Sequence, residues 1–151
     1  MRHFGSIDEL TRAAGEELGA SDWVTVTQEM IDRFADATGD HQWIHVDRER
    51  ARLSSYGTTI AHGFLTLSLI ARLRDQIYEV DGVASRINYG CDRVRFLAPV
   101  PSGSRVRLRL KLARVAPARH GIRVDSECTM ELEDAPRPAL VADQIVLLIP
   151  A

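Results

Sequence analysis

Apolar and polar residues alternate with a period of two over residues 105–112, where Val106, Leu108, Leu110 and Leu112 interleave with Arg105, Arg107, Arg109 and Lys111. The same period returns over 122–133. There Ile122, Val124, Ser126, Cys128, Met130 and Leu132 share one parity, and Arg123, Asp125, Glu127, Thr129, Glu131 and Glu133 the other. Successive side chains of a strand point to opposite faces, so each run predicts a strand with one face on a core. The segment Ala116-Pro-Ala-Arg-His-Gly121 between them reads as the turn of a hairpin. One outer face is basic and the other mostly acidic, so cross-strand ion pairs favour this partnership. Each such exposed pair contributes little by itself. Residues 85–96 predict a third strand whose parity switches at Gly90, apolar at Ile87 and Tyr89 before it but at Val94 and Phe96 after, which marks a bulge. The near-continuous apolar run 140–149 predicts a fourth strand, at the centre of the sheet.

The first half of the chain has a helical period instead. Ser6-Ile-Asp-Glu9 is a capping-box pattern that opens a short helix reaching Glu17. Residues 22–27 alternate as a short strand, and Thr27 then caps a helix whose Ile31, Phe34 and Ala35 form one stripe, ended by Gly39. Residues 48–53 predict a further turn or two of helix. From His62 to Val80 the pattern is apolar on most of its circumference, enough for about five helical turns buried in a core. Helices first and antiparallel strands afterwards predict an α+β fold in which a sheet covers one long helix.

Composition narrows the classes of function. A chain of 151 residues with 45% apolar residues can bury one sizeable core, so one domain spanning 1–151 is expected. The formal net charge of −2 argues against a nucleic-acid or anionic-membrane partner. No apolar run approaches a membrane span, and the opening Met1-Arg-His-Phe is no secretory leader. Cys91 and Cys128 lie far apart without a Cys-x-x-Cys motif, which fits two buried thiols and a cytoplasmic location.

The chemistry concentrates in Phe34-Ala-Asp-Ala-Thr-Gly-Asp40-His-Gln-Trp-Ile-His45-Val-Asp47, taken with Ile60-Ala-His62-Gly63-Phe64. Asp40 and His45 stand five residues apart just past a Gly that can end a helix, and Gly63 opens the long apolar one. Adding water to an activated double bond needs a base for the water, an acid for the adjacent carbon, and a partner for the negative charge that develops on the carbonyl oxygen. A neutral imidazole can take the water proton, and a carboxylate can share, hold or return one; spacing does not say which residue does which. A backbone N–H at a helix N-terminus suits the oxyanion, and Gly63 without a Cβ lets that oxygen come close. His62 would fix the loop that enters the helix. His41 and His45, with Asp40 or Asp47, have helical zinc spacing, but Gly39 ends the helix before them and no further ligand motif follows, so no metal is predicted.

Gly39-Asp40-x4-His45-x-Asp47, then Ala51, Gly57 and Ile60-Ala-His-Gly63, resembles the signature of the MaoC-like dehydratases, which include the (R)-specific enoyl-CoA hydratases. Asn88-Tyr89-Gly90 and Arg93-Val-Arg95-Phe96-x-x-Pro99-Val100 resemble the second segment of that family. The resemblance implies a hotdog fold, a homodimer, and reversible hydration of trans-2-enoyl-CoA to (R)-3-hydroxyacyl-CoA without metal or redox cofactor. It implies catalytic roles for Asp40 and His45. Substrate contacts would come from Gly63, Gln42, Ile60, Ala61, His62, Asn88 and Tyr89. Where the family carries Asn-Pro this chain has Gln42-Trp43, which keeps an amide on a longer arm and loses the proline's constraint on the backbone. Trp43 would pack beside the site, and Arg93 and Arg95 would either meet CoA phosphates or cover the sheet.

A dehydratase of another acyl-CoA or carrier-protein thioester is the runner-up within the family, and two functions of other classes fit the same fold. A thioesterase needs a carboxylate aimed at a hydrolytic water, and the long helix offers Asp75 and Glu79 only near its end. A non-catalytic acyl-thioester binding subunit would tolerate loss of Asp40 or His45.

Overall fold

The computed structural model describes residues 1–151. Its elements are β1 (Arg2–Phe4), α1 (Ile7–Arg12), β2 (Glu17–Ala20), β3 (Val24–Thr25), α2 (Gln28–Thr38), α3 (Trp43–Val46), α4 (Arg48–Arg52), α5 (Gly63–Arg74), β4 (Tyr78–Val80), β5 (Val83–Phe96), β6 (Arg105–Ala118), β7 (Gly121–Leu132) and β8 (Leu140–Pro150). One antiparallel sheet runs in the order β2-β6-β7-β8-β5, and β3 extends its β2 edge by pairing with the start of β6.

The alternating runs pair as their pattern predicts. Leu108 stands opposite Met130 and Leu110 opposite Cys128, and this face, with Val106 and Leu112, is fully buried or nearly so. On the outer face Arg109 lies 2.9 Å from Glu131 and Lys111 3.3 Å from Glu127, while Arg105 pairs with Glu133 and Arg107 with Glu131. The inner face receives α5, whose Leu65, Leu69, Ile70 and Leu73 join one cluster of 27 buried residues. Each such side chain contributes about 1.5–3 kcal/mol on leaving water. An antiparallel sheet folded over a central helix is the hotdog arrangement. No helix is long and apolar enough to cross a membrane.

Several boundaries differ from the sequence reading. Helix α1 is closed by its capping box, Ser6 accepting from the Glu9 N–H at 3.2 Å and Glu9 reaching back to Gly5 N at 2.8 Å, but it stops at Arg12. The next residues become β2, because the edge of β6 offers hydrogen-bond partners that a single-chain pattern cannot display. Helix α5 spans 12 residues rather than reaching Val80. Ile77, Tyr78 and Val80 satisfy a helical period but equally a period of two, and β1 supplies a parallel partner for Tyr78–Val80. The strand at 22–27 shrinks to Val24–Thr25. The hairpin is tighter than predicted, with only Arg119 and His120 between β6 and β7. Strand β8 is internal but lies between β7 and the edge strand β5, so β7 is the central strand. The break at Gly90 is present: Asn88 pairs with Val146 and Gly90 with Ile145, so one residue is inserted. Of the two thiols only Cys128 is buried, which pushes its pKa up to about 12; Cys91 is exposed, and both are free.

Candidate active site

Helix α2 ends where Gly39 adopts φ 77°, a left-handed conformation in which its N–H still reaches the Ala35 carbonyl at 2.8 Å. The chain reverses there and presents Asp40 with its carboxylate about half exposed. A single helical turn follows, α3, and places His45 in the interior at 6% exposure. This turn was not predicted, since Gly39 had closed the preceding helix. It is held from outside: the Gln28 carboxamide donates to the His45 carbonyl at 2.8 Å and to the Asp32 carboxylate at 2.7 Å, and the Thr59 hydroxyl donates back to Gln28.

The imidazole of His45 is oriented by one bond. Its Nδ1–H donates to the Ile60 carbonyl at 2.7 Å, which leaves Nε2 of the neutral ring as a bare acceptor. Burial lowers the pKa of His45 from its ordinary 6.5, opposed by the Ile60 carbonyl and assisted by His62. His62 stacks on His45 with ring centroids 3.7 Å apart and planes inclined by 23°. Its Nε2–H donates to the Asp40 carbonyl at 2.9 Å and lies 4.0 Å from the Asp40 carboxylate, while Phe34 packs on it at 4.9 Å. One buried ring therefore ties the Asp40 loop, α3 and the entry to α5 together.

Gly63 begins α5, and the first-turn N–H groups of a helix have no carbonyl partner within it. A Cβ built on Gly63 would stand 2.9 Å from the Phe96 ring, so that ring packs directly on the bare Cα. Beside it opens a cavity of about 300 Å³, lined by His45, Ile60, Gly63, Thr66 and Phe96 with further apolar residues around them. An imidazole with a free lone pair and a helix N-terminus on an apolar cavity, with a carboxylate beside the imidazole but not in the cavity lining, can move a proton and hold an oxyanion in one place.

The sequence-predicted residues do not all meet here. Asp40, His45, His62 and Gly63 converge. Ile60 contributes its carbonyl, and the Ala61 N–H is bound to the Val100 carbonyl at 2.8 Å. Gln42 is exposed and makes no side-chain hydrogen bond, although its backbone N–H approaches the Asp40 carboxylate at 3.4 Å. Asn88 and Tyr89 lie on β5 in a separate groove. Arg93 is paired with Asp143 on the sheet, and Trp43 carries the Arg50 guanidinium at 4.3 Å rather than facing the cavity. Gln28 and Thr59 were missed, and Phe96 was noted only within the second family segment and not as a site residue; their partners lie 17 to 33 positions away in the chain.

The zinc arrangement considered from spacing does not form, since His41 turns away to pair with Asp36 at 2.8 Å. The residues that could hold an ion are Asp40, His45 and His62, whose donor atoms lie within 4.8 Å of one another. The two imidazoles stack nearly parallel, however. An ion about 2 Å from a nitrogen of each ring would have to lie in both ring planes, which stacked rings do not permit.

A sheet folded over one helix, with an imidazole and a carboxylate near that helix's N-terminus, defines a protein of the hotdog class with a candidate acid–base site. Residues 9–131 match the MaoC like domain. The chain belongs to the MaoC-like family. It is similar to the 3-hydroxyacyl-thioester dehydratase Z of Mycobacterium tuberculosis, with 55% identity over 147 residues, 97% of each chain. It is also similar to nodulation protein N of Rhizobium leguminosarum, with 46% identity covering 97% of this chain and 92% of that one. Among solved structures, the unliganded R-hydratase of Pseudomonas aeruginosa shares the fold with a TM-score of 0.73 at 20% identity, over 91% of this chain and 83% of that one.

The environment of His45 carries a pH prediction. Burial keeps His45 unprotonated to lower pH, which bears on the role as base proposed for it below. The acid limb of kcat/KM therefore falls below the ordinary histidine value of 6.5, and activity is retained as pH drops through that value. A profile of kcat/KM between pH 4.5 and 8 with its acid limb at or above 6.5 contradicts this.

Proposed function

We propose that the chain is an (R)-specific enoyl-CoA hydratase that interconverts trans-2-enoyl-CoA and (R)-3-hydroxyacyl-CoA by syn addition of water. In this reading Asp40 and His45 work as a pair, His45 carrying the proton and Asp40 orienting the water, and the Gly63 N–H is the oxyanion site. The observation that carries it is the bond from His45 Nδ1 to the Ile60 carbonyl, which leaves Nε2 without a partner on a residue that lines the same cavity as Gly63. The dehydratase relative, similar over nearly its whole length, supports the reaction class. The reading takes residues 1–151 as one MaoC-like hotdog domain, in keeping with the single continuous core.

With the thioester oxygen at the Gly63 N–H, a water between Asp40 and His45 is held from the side of the Asp40 loop. Its oxygen bonds to C3 as one proton passes to His45 Nε2, and the double-bond electrons move onto the thioester oxygen as an enolate. The N–H groups of α5 stabilise that charge without rearranging. The enolate then collapses and C2 takes the proton from the imidazolium, which restores neutral His45. Asp40 orients the water and balances the transient cation. Ile60 and His62 act as orienting groups. Asn88, Tyr89 and Gln42 would reach substrate only beyond this cavity.

The thioesterase reading is less well supported. No residue of α5 carries a carboxylate, and Asp75 at its end is engaged by Arg74 at 3.2 Å and Arg86 at 3.0 Å.

The protein acts as a homodimer in this proposal. Edge strand β5 is 14 residues long and unpaired along one side, and exposed Ile87, Tyr89 and Phe96 lie on it, with exposed Phe64 nearby on α5. A long apolar edge of this kind is normally covered. Sedimentation should show a dimer; a monodisperse monomer with full activity removes this part of the proposal.

The test of function follows the product. Loss of enoyl absorbance without release of free thiol separates hydration from hydrolysis. In deuterium oxide, deuterium at C2 and hydroxyl at C3 should arrive on one face and yield the (R)-alcohol. Anti addition would refute the shared-face mechanism, and syn addition giving (S)-product would refute the (R) assignment.

A further inference from the structure

Gln28 opens α2, and its side chain reaches well beyond that helix. Its bond to Asp32, four residues on, is an ordinary contact between neighbouring turns. The other two bonds are long-range. Nε2 also donates to the His45 carbonyl at 2.8 Å, 17 positions later, and Oε1 accepts the hydroxyl of Thr59, 31 positions later. A carboxylate only accepts, so Asp32 holds the nitrogen end of the amide toward itself and leaves the oxygen for Thr59. The His45 carbonyl belongs to α3, a single turn whose last carbonyls have no partner within it. Thr59 is buried, and it is joined covalently to Ile60, whose carbonyl accepts the His45 Nδ1–H. Gln28 therefore grips both sides of the bond that selects the tautomer of His45: the donor through its backbone, and the acceptor through Thr59.

We propose that Gln28, aimed by Asp32 and locked by Thr59, is a positioning residue for the hydration: it keeps Nδ1 of His45 protonated against the Ile60 carbonyl and Nε2 bare. The proposal rests on the acid–base reading of His45 for its effect on rate, but not for its effect on the imidazole. A neutral imidazole carries its proton on either nitrogen, and only one tautomer presents Nε2 as an acceptor for the proton of the attacking water. The Nδ1–Ile60 bond selects that tautomer while α3 and the 59–60 segment keep their spacing. The backbone bond from Ile60 N–H to the Ile44 carbonyl, at 3.0 Å, already joins the two segments. One bond acts as a hinge, and the Gln28 bridge is the second attachment that stops rotation about it. Three hydrogen bonds through one carboxamide specify a single relative orientation, which apolar packing by a leucine or methionine would not.

The test compares wild type with Gln28→Met, Gln28→Glu, Thr59→Val and Thr59→Ser. Methionine keeps the length of the side chain without its hydrogen bonds. Glutamate keeps the shape but sets an oxygen against the Asp32 carboxylate and the His45 carbonyl, both acceptors. Two quantities are measured: nitrogen-15 spectra of the imidazoles, with His45 assigned by its absence in His45→Gln, and steady-state hydration of crotonyl-CoA and trans-2-octenoyl-CoA. Wild-type His45 should show one protonated nitrogen and one bare. In Gln28→Met, Gln28→Glu and Thr59→Val the two signals should draw together as tautomers mix, and kcat should fall about 10- to 10²-fold with KM unchanged. Thr59→Ser keeps the hydroxyl and should restore both. A loss of stability alone does not move the nitrogen signals of the folded protein, so these separate positioning from a merely structural role. A wild-type nitrogen pattern in Gln28→Met and Thr59→Val overturns the proposal. Mixed tautomers with full turnover would uphold the positioning and refute His45 as the base, so the two failures are distinguishable. Thr59→Val removes one hydrogen bond with little change of volume, and keeps the test decisive if the Gln28 variants do not fold.

Discussion

Asp40→Asn and His45→Gln are each expected to lower kcat by about 10²-fold or more, within the usual range of a positioned acid or base. The two losses have different origins. His45→Gln removes the bare Nε2 that takes the proton of the attacking water, and a carboxamide nitrogen cannot replace it. Asp40→Asn keeps the size of the side chain and the backbone carbonyl that His62 binds, but removes the charge that balances the imidazolium. Folding should survive both, since the Asp40 carboxylate is half exposed and Gln can still donate toward the Ile60 carbonyl. Steady-state hydration rates, with melting curves and sedimentation as controls, decide the matter. Wild-type turnover in either folded variant would remove that residue from the mechanism. The double variant should fall little below the worse single one, because both residues serve a single proton transfer.

Gly63→Ala is expected to reduce kcat/KM on the order of 10²-fold, the scale of one lost oxyanion donor. The added Cβ meets three atoms of the Phe96 ring at 2.9 to 3.1 Å, closer than side chains tolerate. Phe96 is about half exposed, so its ring yields rather than the backbone, and α5 should keep its start. The methyl sits on the same residue whose N–H is the proposed oxyanion donor, and in this proposal it narrows the approach of the thioester oxygen. Adding Phe96→Ala to the variant separates the two effects: it relieves the clash but leaves the methyl in place, so activity should stay low. Recovery in the double variant would mean that Phe96, displaced into the cavity, was the obstruction. A fully active Gly63→Ala would detach the oxyanion role from this residue.

How much of this could be read without coordinates depended on how local the determining interaction is. The β6–β7 hairpin was legible because one alternating pattern serves both its buried face and its ion-paired face, and both partners lie close in sequence. The end of α2 was legible for a similar reason: one Gly supplies the left-handed conformation and the closing bond together. The shortening of α5 was not legible. Whether Tyr78–Val80 continues a helix or forms a strand is settled by β1, more than 70 residues earlier.

The same division runs through the candidate site. Asp40, His45 and Gly63 were recognisable from residue type and spacing, because the proposed chemistry needs an acid, a base and a glycine at a helix start near one another. Their sequence also determined the covalent reach that makes convergence of Asp40 and His45 possible. Only the tertiary structure decided which nitrogen of His45 is free, through the Ile60 carbonyl 15 positions later, and that His62 stacks beneath it. It alone drew Gln28, Thr59 and Phe96 toward the site and left Asn88 and Tyr89 outside the cavity. The physical reason is the range of the interactions. Caps, turns and alternation are governed by neighbours within a few residues, so the chain displays them in one dimension. Tautomer, desolvation and cavity shape arise from contacts between segments that only folding brings together.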